Sequence, residues 1–70
     1  MTTMNKIRIN AGRVKSAMAA KKMSQEETAK QLGTSVSNLR RILTDGKCVA
    51  FMLGRIARVL EVPVWELVDR

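Results

Sequence analysis

Histidine and tyrosine are missing from this chain, and cysteine, proline, tryptophan and phenylalanine occur once each among its 70 residues. Without histidine, a zinc site or a His-based catalytic triad is effectively excluded. A single cysteine, Cys48, cannot form an internal disulfide. It stands beside Lys47, so it is either a somewhat reactive thiol or, as lone cysteines more often are, a small apolar residue. No nucleophile–base pair, metal-ligand spacing or phosphate loop is present, which argues against an enzyme and against any cofactor or small-molecule ligand. No signal-peptide pattern and no apolar run long enough to span a membrane occur, and both fit a cytoplasmic protein.

Aromatic residues make up 3% of the chain against 46% hydrophobic overall, so the core must be aliphatic. Leu, Val, Ile, Met and Ala in that mix favour helices over strands. Seventy residues suit one domain, 1–70, with a core near the lower limit for independent folding. Association with a second copy would help such a core.

Acids are scarce too: six, against 13 Lys and Arg, for a net charge of +7. None lies between Met1 and Gln25, where Lys6, Arg8, Arg13, Lys15, Lys21 and Lys22 are found, while Glu61, Glu66 and Asp69 gather at the other end. Such a chain has an orientation, with one side suited to a polyanion and the other not. The plainer account is that the cations only keep the protein soluble.

Periodicity supplies the elements. "KIRIN" (Lys6 to Asn10) alternates, with Ile7 and Ile9 on one face, as in a short strand or an extended arm over residues 1–9. Asn10 is a plausible N-cap for a helix whose apolar face is Ala11, Val14, Ala17 and Met18. "MSQEETAKQLG" carries both its end signals. Ser24 caps, Glu27 three residues on completes a capping box, and Gly33 stops the helix. Thr28, Ala29 and Leu32 form a thin buried stripe, with Ala29 small enough for another helix to approach. The next helix starts after Thr34 or Ser35 and ends near Thr44, burying Leu39, Ile42 and Leu43 with Val36 at the edge. "TDGK" follows as a turn. "FMLGRIARVLEV" spaces Leu53, Ile56, Ala57 and Leu60 as one more helical face, and Gly54 inside it suggests a close helix contact. Pro63 suits the first turn of a last short helix, "PVWELV".

Helix, glycine-containing turn, helix over residues 24–44 is the helix-turn-helix pattern. Its second helix turns Ser37, Arg40, Arg41 and Thr44 outward, and a major groove about 12 Å wide admits one such helix. Arginine bridges two acceptors on guanine, and serine, threonine and asparagine, here including Asn38, reach bases or phosphates. An ordinary helical hairpin with a solvated basic face would carry the same local spacing.

"SQEETAKQLGTSVSNLRRIL" followed by "LGRIARVLEVPVWELV" resembles the Cro/lambda-repressor-like helix-turn-helix family over about Asn10 to Val68. The resemblance rests on Gln25, Ala29, Leu32, Gly33, Leu39 and Ile42, then on Gly46, Leu53, Ile56, Ala57, Leu60, Val62 and Leu67. It implies an all-α, compact five-helix bundle that binds operator DNA as a homodimer and regulates transcription, often in phages and mobile elements. Carried over by position, Gln25 would touch a phosphate. Ser35, Val36 and Ser37 would enter the groove first, Arg40, Arg41 and Thr44 would follow, and Lys47 would touch the backbone beyond. Thr28 stands where the family usually has an aliphatic residue, which predicts a weaker contact, and "LTDGK" reads one residue longer than in compact members.

A second class of function is a protein-binding module of the same fold, an antirepressor or antitoxin. Trp65 motivates it, because it falls where the family is usually polar. It is either an interface anchor, with Val64, Phe51 and Met52 around it, or a lid folded back on the core.

Overall fold

The computed structural model describes residues 5–69. Met1 to Met4, the first part of the expected arm, lie outside the described residues. The five helices are α1 (Ala11–Ala20), α2 (Gln25–Leu32), α3 (Val36–Asp45), α4 (Ala50–Leu60) and α5 (Val64–Leu67). Two short strands, β1 (Lys6–Arg8) and β2 (Lys47–Val49), pair antiparallel and were only half expected.

Helices α1, α2 and α3 begin where their sequence says they should. The Asn10 side chain accepts the Arg13 N–H, Ser24 accepts that of Glu27 and Ser35 accepts that of Asn38, each at 3.0 Å. These caps satisfy donors that a helix start leaves free, each contributing about 1 kcal/mol. The capping box at α2 closes on one side only: the Glu27 carboxylate accepts from Gln31 Nε2 at 3.2 Å, one turn along the helix. Pro63 is the N-cap of α5 rather than part of its first turn.

The elbow between α2 and α3 is set by Gly33 at φ 75°. Its N–H donates to the Lys30 carbonyl and the Thr34 N–H to the Ala29 carbonyl, at 3.1 and 3.0 Å. This paired closure needs a residue in the left-handed region, which glycine enters at no steric cost. Gly46, at φ 71°, caps α3 in the same region, so the helix ends at Asp45, one residue beyond the expected Thr44.

Helix α4 is the centre of the core. Its Leu53, Ile56, Ala57 and Leu60 are buried, and it packs against α2, α5 and both strands. Full burial of each large aliphatic side chain is worth about 1.5–3 kcal/mol. From α2, Ala29 and Leu32 meet this core, and Thr28 is fully buried beside them. The position expected to be weak is accommodated, because the Thr28 hydroxyl donates to the Ser24 carbonyl at 2.8 Å and brings no unpaired polar group inside.

The "KIRIN" stretch is strapped down on both sides. Ile7 pairs with Cys48 in β2, and Ile9 bridges to Val68. The Ile9 N–H donates to the Gly46 carbonyl, the Asn10 N–H to that of Leu67, and the Asp69 N–H to that of Arg8, all within 2.8–2.9 Å. The second half of the stretch is thus bonded within the chain and is not a free extended arm.

Gly54 departs from its expected role. It is exposed on α4, and a Cβ built there would meet no atom within 4 Å, so it mediates no helix contact inside the chain. Gly54→Ala should therefore raise stability by about 1 kcal/mol, whereas Gly33→Ala, forced into a positive φ, should lower it by about 1–2 kcal/mol. Urea melts of the two variants test this pairing. A loss of stability in Gly54→Ala would contradict the open environment of that residue.

Candidate nucleic-acid interface

Three apolar side chains fix what α3 can present. Leu39, Ile42 and Leu43 are buried, so at 100° per residue Ser37, Arg40, Arg41 and Thr44 face outward, and all four are exposed. Ser35 is exposed at the N-cap and Val36 is half-buried beside it. Asn38 is less free than expected. Its Nδ2 donates to Thr34 Oγ1 at 2.9 Å and its N–H to the Ser35 hydroxyl, so it holds the start of the helix in shape.

Gln25 sits half-buried at the start of α2, and Arg40 Nε donates to its Oε1 at 3.2 Å. The bond ties the first residue of one helix to the middle of the next and aims the guanidinium. Its other N–H groups stay available for a fork-like contact with two acceptors. Spacing turned Arg40 outward and the family resemblance implied a contact for Gln25, but nothing local to either shows the bond between them.

Two hollows flank α3. Lys15, Gln25, Arg40 and Thr44 line one. The other is lined by Lys6, Asn38, Arg41, Asp45, Lys47 and Met52 among others. The β1–β2 pair supplies two of the second hollow's cations, Lys6 and Lys47, and α3 supplies Arg41. Ile7 and Cys48 point to the core side of the sheet, so Lys6, Arg8 and Lys47 share its other face, and all three are exposed. Arg8 and Lys47 are direct cross-strand partners. Like charges placed so oppose folding slightly, and a bound polyanion relieves that repulsion. Lys6, which with Arg8, Arg13 and Lys15 was expected to lie along phosphates, is brought to the end of α3 by the strand pairing.

The structure divides the N-terminal cations. Arg13 faces the other way: its Nη1 donates to the Glu66 carbonyl at 3.4 Å. Lys21 Nζ pairs with Glu61 Oε2 at 2.6 Å. That hydrogen bond, and then the charge behind it, holds the Glu61 carboxyl below its ordinary range. A depressed folded-state value means the contribution is present at neutral pH and is lost as the pH falls through the carboxylate range. Lys22 and Glu61 close α1 and α4 in the left-handed region, at φ 56° and 58°, where glycine is usual.

The four expected interface residues do not come together. Phe51, in the first turn of α4, and Trp65, beyond its end, are 70% and 62% exposed. An 11-residue helix separates them, about 16 Å long. Val64 is exposed next to Trp65 in α5, whereas Met52 is half-buried and lines the hollow with Lys47. Trp65 does not fold back on the core; it stands beside Asn10, Arg13, Val68 and Asp69.

Cys48 is buried, and burial raises its thiol pKa although Lys6 nearby lowers it in part. A raised value in an acid that ionises to an anion keeps the thiol neutral and unreactive, which fits the small-apolar account. Among the described residues no group of three or more Cys, Asp or Glu is placed to hold a metal ion, and no helix is long and apolar enough to cross a membrane.

A helix-turn-helix family model matches residues 14–67. Among solved structures, that of a mutant hydroxyethylphosphonate dioxygenase aligns with a TM-score of 0.76 at 25% identity, covering 91% of this chain and 14% of that one. Native PhpD with cadmium atoms gives 0.74 at the same identity and coverages. The chain therefore spans about one seventh of the length of those proteins. No curated protein matches it.

Iodoacetamide should modify Cys48 at least tenfold faster in urea than in buffer at the same pH, because ionisation requires exposing the thiol. Equal rates, followed by mass spectrometry, would contradict the buried site.

Proposed function

The chain belongs to the helix-turn-helix family, and on that premise we propose that it is a sequence-specific double-stranded DNA-binding transcriptional regulator of the Cro/repressor kind, acting at an operator as a homodimer. The observation that carries this reading is the outward face of α3, with Arg40 held by Gln25 and a cationic hollow on each side. In the mechanism we infer, the exposed N-terminus of α3 enters the major groove through Ser35, Val36 and Ser37. Val36 packs on a thymine methyl, Arg40 and Arg41 divide base-edge and phosphate contacts between them, and Thr44 follows. Lys15 on one side and Lys6, Arg8 and Lys47 on the other neutralise phosphates, while Gln25 adds a backbone contact at the start of α2.

Selection from a random duplex pool should yield a preferred site. Arg40→Ala or Arg41→Ala should then cost about 1–3 kcal/mol when the arginine reads a base, with relaxed preference at one position. Replacing Lys6 and Lys15 together should flatten the salt slope by about 2 and leave the preferred sequence unchanged, and Arg13→Ala should leave the slope alone. If the single and double arginine variants bind the selected site as the parent does, α3 is not the reader.

A second reading, a protein-binding module of the antirepressor or antitoxin kind, is favoured by one observation, the 62% exposure of Trp65. The two readings are compatible if that end of the molecule pairs two copies. One recognition helix reads only a few base pairs, and two-fold pairing doubles them. An aromatic anchor flanked by Val64 is the kind of residue that carries binding energy. Trp65→Ala should shift the protein towards monomer in sedimentation equilibrium without unfolding it. A parent chain that stays monomeric at high concentration, free and on DNA, would remove the dimer from the mechanism.

A further inference from the structure

We propose that the hollow lined by Gln31, Phe51, Gly54, Arg55, Arg58 and Val59 docks a segment of a partner protein that carries carboxylates around an apolar anchor. The proposal is independent of the DNA reading, since none of these residues belongs to the α3 face.

Three observations converge on it. The first is composition: the chain has one Phe and one Trp, and neither is in the core. With aromatics so few, leaving Phe51 70% exposed forgoes a large burial gain. Phe51 is nevertheless held in place, with the Arg55 guanidinium carbon 5.5 Å from its ring centroid. That is within cation–π range and keeps the ring against α4.

The second is Gly54. A glycine inside a helix is unfavourable, and nothing within the chain accounts for this one, because no atom lies within 4 Å of where its Cβ would be. It forms part of the wall of a hollow of about 540 Å³ between Phe51 and Val59. A missing side chain there lets another chain approach the α4 backbone closely, the usual reason for a glycine at such a position.

The third is charge. Two arginines line the hollow and no acid does. Arg55 also reaches the helix-turn-helix elbow, 3.5 Å from the Cβ position of Gly33. Apolar walls from Phe51 and Val59 between two guanidinium groups complement an apolar side chain flanked by Asp or Glu. Arginine suits carboxylates because its planar fork engages both oxygens. A second copy's acidic end is the rival occupant, although its Glu61 is already paired with Lys21 and its Leu67 is buried.

The test is a selection of random 12-residue peptides displayed on phage against the full chain, with the enriched peptides then synthesised and titrated. Enriched peptides should carry two or more acids around a Leu, Phe or Trp. Phe51→Ala should weaken them at least tenfold, and Arg55→Glu combined with Arg58→Glu should abolish binding. Gly54→Leu should block them while raising the melting temperature, which separates occupancy of the hollow from damage to the fold. Phe51, Gly54, Arg55 and Arg58 are all exposed, so the variants should stay folded. Enrichment without acids, or winners that bind Phe51→Ala and Gly54→Leu as tightly as the parent, would overturn the proposal. So would a Phe51→Ala variant that loses duplex binding, assigning the hollow to DNA, or one that loses self-association, assigning it to a second copy. The arginine variants of α3 should leave peptide binding intact, so failure of either proposal is visible without the other.

Discussion

Burial of Leu39, Ile42 and Leu43 governs the rest of the molecule. A helix of ten residues cannot choose its two faces separately: once three aliphatic side chains are committed to the core, the residues between them must point to solvent. Here those residues are Ser37, Arg40, Arg41 and Thr44. Gly33 then sets the angle at which the helix leaves α2; α3 packs against α2 and β2, and α4 packs against both of those. The outward face of α3 is thus a consequence of packing, and the Gln25–Arg40 bond refines it.

Charge follows the same geometry. Cations near α3 have only Asp45 beside them as an acid, whereas on the far side Arg13 donates to the Glu66 backbone carbonyl and Lys21 pairs with the Glu61 carboxylate. The exposed cations around α3 make that surface basic, which gives an approaching polyanion a preferred orientation. The two exposed aromatics lie away from that surface, at opposite ends of α4. A fold of this size can then present a nucleic-acid face and protein contacts at once. Likeness to a small part of dioxygenase chains is in keeping with this, since function resides in the surface a fold displays and not in the fold.

Much of this was legible in the sequence because the signals are local. Helical periodicity located the buried faces of all four longer helices, and Asn10, Ser24, Gly33 and Gly46 marked their ends. What was not legible depends on residues far apart in the chain. Lys47–Val49 is too short to show a strand period, and only pairing with Lys6–Arg8 makes it one. Lys6 and Lys15 could not be told from Arg13 and Lys21 by sequence, because the distinction lies in which tertiary neighbour each meets. Gly54 was misread for a related reason: a helix glycine signals a close approach, but the sequence does not say whether the approaching chain is its own. Phe51 and Met52 were grouped with Trp65 by hydrophobicity, and the length of α4 lies between them and Trp65.

Backbone amide NMR of the protein titrated with a selected duplex tests the central claim most directly. The account predicts that shifts concentrate at Gln25, at Ser35 to Thr44, and at Lys6, Lys15 and Lys47. Phe51, Arg58 and the Trp65 indole should move only as far as dimerisation on the duplex requires. Shifts centred on the α4 hollow or on Trp65, with α3 unmoved, would contradict it.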